Sequence, residues 1–252
     1  MMNRILVRRY KIILETDKAI IENGVIKLLD SGMYLLEYID SDNIDLCIKV
    51  DDLVIATLFE SSFLDKINVN NKYIIGNGEL LVNKFYNNNN VVENIEIDLC
   101  SEGAKIDYRF SNICRNEESY VININHKAKN TISRINNKSI AMDGSKLNFI
   151  INSRVSKEYE KSVLDQNTRI VTLGNSDSKI SPNMFIDCDD IEARHGSVIG
   201  TFKDDLIFYL MSRGIEYNDA IKLLVKGYLF SNVDADSNLR EKILNVIDMY
   251  WR

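Results

Sequence analysis

One proline in 252 residues, set among many short runs of alternating apolar and polar side chains, constrains this chain more than any other feature. In residues 104–110, Ala104, Ile106, Tyr108 and Phe110 fall on one side and Lys105, Asp107 and Arg109 on the other. Ile95, Ile97 and Leu99 oppose Glu96 and Asp98, and Leu147, Phe149 and Ile151 repeat the pattern. A period of two belongs to a strand with one dry face and one wet face. Further runs rich in Ile, Val, Leu and Tyr occupy residues 4–14, 19–29, 33–39, 44–50 and 53–59. Asn23-Gly24, Ser31-Gly32, Asn77-Gly78 and Asp143-Gly144 punctuate the series. About a dozen such segments between short polar turns predict a mainly β body.

Periodicity leaves two architectures open: a sandwich or barrel, or a β-helix whose coils stack edge to edge. No clean internal repeat is visible, which weighs against a regular solenoid. The asparagine run at residues 87–90 predicts an exposed turn. Residues 153–165, with Lys157, Glu158, Glu160 and Lys161, predict a surface excursion between strands.

Near Gly200 the period changes. After Lys203 apolar residues recur every three to four positions, as on a helix. Thr201 with Asp204 predicts a capping box, and Leu206, Ile207, Leu210 and Met211 an apolar stripe. Gly214 stands where a left-handed residue ends a helix. Ala220, Leu223, Leu224, Gly227 and Tyr228 mark a second helix. Leu239, Ile243, Val246, Ile247 and Tyr250 mark a third, with Ser237 as its N-cap. The chain thus divides into a body at 1–200 and a helical part at 201–252. The helices either cap the exposed end of the body or offer an apolar groove to a partner.

A net charge of −6 speaks against a nucleic-acid partner. No apolar run reaches the roughly 18 residues of a membrane span. Arg4, Arg8, Arg9 and Lys11 interrupt the N-terminus too often for a secretory signal, so a cytoplasmic location is expected. Cys47, Cys100, Cys114 and Cys188 form no C-x-x-C pair and read as free, mostly buried thiols. No P-loop, nucleophile elbow or dinucleotide fingerprint is present, so no enzyme activity is expected of this chain.

Residues 181–230 carry the most specific pattern. It runs Pro182, Asp189-Asp190, Ala193-Arg194-His195-Gly196, Phe208-Tyr209-Leu210, Ser212-Arg213-Gly214, then an amphipathic run over 220–230. In order and spacing this resembles the SufB/SufD family of iron–sulfur cluster assembly proteins. Upstream, His126 followed by Thr131 and Ser133, then 138–143, 146–149, Gln166-Asn167 and 170–173, resemble the family's preceding coils. The resemblance covers roughly residues 103–230. It implies a right-handed parallel β-helix body capped by a small C-terminal helical domain.

It also implies a role: scaffold component of a SUF-type assembly complex, with a SufC-type ATPase docked on the C-terminal helices. The docking residues would be Phe208, Tyr209, Arg213, Gly214, Lys222, Leu224 and Tyr228. The β body would pair with a second SufB/SufD-type subunit, identical or not. An iron–sulfur cluster would be held transiently, with no cofactor stably bound.

His195 leads the cluster-assembly candidates, because SufD-type members place a histidine there. An imidazole can ligate iron, accept a proton or brace the turn before the helix. SufB-type members follow this histidine with glutamate; here Gly196 stands instead, which makes the motif SufD-like. Cys188 offers the soft thiolate an iron–sulfur unit prefers, yet it lies in phase with Met184 and Ile186 and reads equally as core. His195 and Cys188 are the metal-ligand candidates. The family's cysteine two residues before the histidine is Ala193 here, and no cysteine lies between Cys114 and Cys188. His126 is the third cluster-assembly candidate, though it shares a face with Tyr120, Ile122 and Ile124 and a structural role suits it better. A β-helical carbohydrate-binding or carbohydrate-active protein is the alternative, though such enzymes set carboxylates along an exposed groove. Here Asp187, Asp189, Asp190 and Glu192 gather at the terminal turn. A purely structural partner of a longer homologue is a third reading.

Overall fold

The computed structural model describes residues 2–235 and 237–251 and contains a β-solenoid of about seven turns followed by three helices. Each turn contributes one strand to a nine-stranded sheet and the next to an eight-stranded sheet, so sequence neighbours alternate between sheets. The first sheet runs through β5 (Gly32–Ile39), β7 (Ile55–Ser62), β9 (Glu79–Tyr86), β11 (Lys105–Cys114), β13 (Ile132–Met142), β15 (Val163–Leu173) and β17 (Glu192–Gly200). The second runs through β6 (Asn43–Val50), β8 (Lys66–Ile75), β10 (Asn90–Leu99), β12 (Glu117–His126), β14 (Lys146–Val155) and β16 (Asp177–Ile186). All these neighbours pair parallel.

The dry faces expected of the alternating runs point into the lumen. Ile106, Tyr108 and Phe110 stack beside Ile95, Ile97 and Leu99, and Leu147, Phe149 and Ile151 continue the column. The lumen is not wholly apolar. Lys84 is fully buried between Glu60, 3.2 Å away, and Glu93. The hydroxyls of Tyr38, Tyr73 and Tyr86 donate to Glu60 at 2.9, 2.9 and 2.6 Å. Burial works to raise the Glu60 carboxyl, but Lys84 and these hydroxyls outweigh it and hold the group below its usual range. One turn further on, Glu118 accepts from Tyr120 Oη at 2.7 Å and from Asn112.

Outside, the wet face of the eight-stranded sheet carries an amide ladder. Asn183 donates to Asn152, Asn152 to Asn123, Asn123 to Asn94 and Asn94 to Asn70, at 2.8 to 3.2 Å. Successive rungs lie 24 to 31 residues apart, and this uneven coil length is why no repeat is visible in the sequence.

Several expectations need correction. Residues 4–14 are not one strand but a hairpin of β1 (Asn3–Arg8) and β2 (Lys11–Glu15). Its turn sits on Arg9 and Tyr10 at φ 48° and 63°, which neither residue type advertises. β3 (Ala19–Glu22) and β4 (Val25–Leu28) form a second hairpin around Asn23-Gly24. The asparagine run is not an exposed turn: Asn88 is fully buried and donates to Ser62 Oγ and Leu64 O, bracing the corner of the preceding coil. The excursion at 153–165 shrinks to 156–162, because β14 and β15 extend into it. Two thiols are buried, but Cys47 is half-buried and Cys100 exposed.

The largest correction concerns the helices α1 (Asp204–Ser212), α2 (Tyr217–Phe230) and α3 (Ser237–Tyr250). They do not close the end of the solenoid. Instead Val225, Leu229, Ile243 and Ile247 cover Leu35, Phe59, Phe85, Ile113, Ile140 and Val171 on the outer face of the nine-stranded sheet. Those strand positions break the alternation with an apolar side chain on the outward face, so burying them outside the lumen favours a helical cover. No side-chain cap bonds the start of α1, whose N-cap is Lys203 and not Thr201. Ser237 is the first residue of α3, and the position before it lies outside the described residues. Gly214 ends α1 at φ 85°, its N–H donating to Met211 O at 2.9 Å, as the left-handed stop requires.

Candidate functional site

With the helices on the flank, the last turn of the solenoid is bare. Among the described residues β16 pairs only with β14, and β17 only with β15. Every β17 residue from Glu192 to Ile199 is exposed. Val198 and Ile199 are 52% and 44% exposed, and Ile180, Pro182, Met184 and Ile186 are half-covered although they continue the lumen columns. Sequence reasoning missed this apolar rim. Its signal was available: strand alternation persists through the last coil with no further coil to cover it.

His195 stands in this rim. It lies in register with Gln166, and Ala193 and Ser197 with Leu164 and Thr168, three residues buried in the lumen. The imidazole therefore sits on the lumen side of the last strand, at the mouth. Gly196 has ordinary extended backbone there; an added Cβ would meet only Asn167 Oδ1 at 3.5 Å, so no close approach demands the glycine. Cys188 is buried with Val155 and Leu164 in a small apolar cluster that Met184, Ile186 and Ile191 join. It occupies a core position, as its phase with Met184 and Ile186 suggested.

His126 is placed inward. Its Nδ1 lies 2.7 Å from Thr131 Oγ1 and its Nε2 2.9 Å from Ser133 Oγ, while Thr131 meets Ser162 at 2.9 Å. Both ring nitrogens are engaged, and burial depresses the imidazole to about 4, which keeps it neutral. Among the described residues, no group of three or more His, Cys, Asp or Glu side chains is arranged to hold a metal ion.

A second surface lies on the helices. α1 buries none of its residues. Phe208 and Tyr209 are exposed, as are Leu206 and Met211 of α1 and Tyr217 and Leu223 of α2. Arg213 lies over the Tyr209 ring at 5.2 Å. Other docking candidates are engaged within the chain. Tyr228 meets Phe202 edge-on and donates to Arg169 O at 2.7 Å. Lys222 pairs with Asp248 at 2.9 Å, and Leu224 packs into the cluster beneath the helices. Only three residues, Thr201 to Lys203, separate β17 from α1, so the mouth and the helical surface are joined by the chain itself.

The open last turn and the helical flank belong to one class of protein, a parallel β-solenoid followed by three helices. The family model for the SUF system FeS cluster assembly SufBD core domain matches residues 70–228, more than half of the chain, and the chain belongs to that family. The match begins well before residue 103, where the motifs first became legible. A SufBD family protein of Staphylococcus saprophyticus is 31% identical over 106 residues, covering 41% of this chain and 23% of the relative. Iron–sulfur cluster assembly protein SufB of Bacillus subtilis is 30% identical over 106 residues, with the same coverage. Iron–sulfur cluster assembly protein SufD of Escherichia coli is 29% identical over 117 residues, covering 44% of this chain and 27% of the relative. The matched segment spans about a quarter of the length of these relatives. No helix among the described residues is long and apolar enough to cross a membrane.

Proposed function

We propose that this chain is a scaffold component of a SUF-type assembly complex, with the open last turn as the junction to a second SufB/SufD-type subunit. The observation that carries this is the bare rim of β16 and β17, with His195 at its mouth. Two unpaired strand edges over exposed core side chains favour a protein partner. A nascent iron–sulfur cluster is cargo in this reading, handled at the junction and not kept. His195, the exposed imidazole, is the residue best placed to meet it. The buried ring of His126 and the core thiol of Cys188 are structural.

Docking of a SufC-type ATPase is assigned to α1 and the exposed edge of α2. Phe208 and Tyr209 suit an aromatic anchor. Tyr228 does not, because it is spent on holding α2 to the sheet. ATP chemistry belongs to the partner, and this chain acts as an assembly component. The SufD-like assignment rests on His195-Gly196, since identity to SufB and to SufD is equal within a percentage point. The carbohydrate alternative rested on the fold alone, and family membership accounts for that fold.

Co-expression with a SufC-type ATPase and anaerobic reconstitution of the complex tests the reading. Phe208→Ala with Tyr209→Ala should weaken ATPase capture by roughly thirtyfold, about 2 kcal/mol, and leave the melting temperature unchanged. Tyr228→Ala should lower the melting temperature of the isolated chain. His195→Ala should lower iron and sulfide content of the complex with little change in thermal unfolding. An unchanged ATPase capture by the aromatic double variant sinks the docking assignment. Unchanged cluster content in His195→Ala removes the histidine from cluster handling.

A further inference from the structure

Gln166 is a buried amide whose two ends are not treated alike. It lies in the lumen on β15, 1% exposed, one strand in from the mouth. Its Nε2 donates to Ser153 Oγ at 2.7 Å and to Asn183 O at 3.3 Å. A backbone carbonyl only accepts, so the nitrogen must be the atom that faces β16, and the oxygen takes the other place. That oxygen is sealed from solvent and accepts no hydrogen bond among the described residues. A buried acceptor without a donor is rare and costly.

The neighbours narrow the choice of donor. In the sheet, Gln166 has Ile135 one coil inward and His195 one coil outward. Ile135 carries no side-chain donor. Along β15, Leu164 is apolar, and Thr168 Oγ1 is taken up with Asn137 Nδ2 at 3.0 Å. Adjacent strands run about 4.8 Å apart, so a side chain as long as glutamine can reach a ring on the next strand. His195 is exposed and makes no hydrogen bond among the described residues. A buried oxygen lacks a donor, and the side chain in register with it has one unspent.

We propose that Gln166 is the positioning residue for His195. Its Oε1 accepts an N–H from the imidazole, which fixes the ring as one tautomer and turns the lone pair of the other nitrogen to the mouth. A histidine that ligates metal ordinarily has its second nitrogen held by an oxygen acceptor in this way. The glutamine is itself held at its angle by β14 through Ser153 and by β16 through Asn183. The last four strands thus converge on one imidazole. His126 shows the contrast within the same chain: Thr131 and Ser133 engage both its ring nitrogens, which leaves neither free for a ligand.

The inference rests on the reading of His195 as the residue that meets the cluster, but its first test does not. The chain holds two histidines, so isotope-edited nitrogen spectra show two imidazoles, and His195→Ala assigns them. At about pH 8.5, above the ordinary imidazole value of about 6.5, His195 should show a single tautomer. Gln166→Leu removes the acceptor and should leave a mixture of the two. Gln166→Met keeps the length of the side chain and should read the same where the leucine variant does not fold. Thr168→Val disturbs the same column without touching the amide and should leave the tautomer as it was. In the reconstituted complex, Gln166→Leu should lower iron and sulfide content, as His195→Ala should. A mixture of tautomers in the parent chain, or a single tautomer undisturbed by loss of the glutamine, overturns the inference, while loss of cluster in His195→Ala would still support the reading it rests on. A shifted tautomer with cluster content unchanged in both variants overturns the role and keeps only the contact.

Discussion

Burial pushes the Glu118 carboxyl up to about 8, against the partial relief of Tyr120 and Asn112, and pushes Glu93 to about 7 despite Lys84. An unfolded glutamate ionises near about 4.3. Between that value and the folded one, the native chain holds a proton that the unfolded chain has released. Stability is therefore full below about pH 4.3 on this account and is lost as pH rises through 7 and 8. His126 acts on the other flank: its depressed value means the unfolded chain takes up a proton first, so stability falls as pH drops from about 6.5 toward 4. Replacing Glu118 by glutamine keeps an acceptor for Tyr120 and removes the ionisation. Thermal melts of Glu118→Gln from pH 5 to pH 9 should lose much of the alkaline decline. A decline as steep as in the parent chain would mean that Glu118 is not the group being forced to ionise.

Turns set the shape of each coil, and two glycines separate space from backbone angle. A Cβ on Gly78 would lie 2.6 Å from Val54 O and 2.8 Å from Asp51 O, both backbone atoms that cannot step aside. A Cβ on Gly144 would meet nothing within 4 Å, and only its φ of 74° opposes a side chain. Gly78→Ala should cost upward of about 2 kcal/mol and Gly144→Ala about 1 kcal/mol. At this size each kcal/mol is worth roughly 2–4 °C of melting temperature, so scanning calorimetry separates the two. Equal shifts would show that crowding around Gly78 is relieved by movement of the turn. Strands of this kind were legible because their burial is one-sided: 104–110 and 147–151 announced their faces residue by residue. The coil architecture was not legible in periodicity, because pairing 24 to 31 residues apart leaves no fixed period, and it followed only from the family resemblance. The flank was hidden differently. Phe59, Phe85, Ile113, Ile140 and Val171 each break the alternation once, and only their alignment across coils reveals a covered stripe. At the site, the motif around His195 was readable and so was the phase of Cys188. The exposure of the one and burial of the other depend on where the coils stop, which local pattern does not encode.

The helices and solenoid share one apolar cluster, so neither is complete alone. A chain ending after Lys203 would bare Leu35, Phe59, Phe85, Ile113, Ile140 and Val171 along several coils. It should be recovered as aggregate, or as a form that binds hydrophobic dye strongly, while the full chain does neither. Recovery of a monomeric truncated body with native far-ultraviolet dichroism and no dye binding would show that the flank is optional. The polar contacts of the flank reach just as far. Lys242 bonds Glu37 at 3.1 Å, 205 residues earlier, Tyr250 bonds Asn87 at 2.9 Å, and Tyr228 bonds Arg169. Stacked-coil proteins ordinarily behave as beads on a line, each unit answering only to its neighbours and free to peel away from either end. Here the tail of the chain is laced back over coils made long before it. The lacing turns an open row into a loop, and the first coils cannot loosen without the last helix letting go.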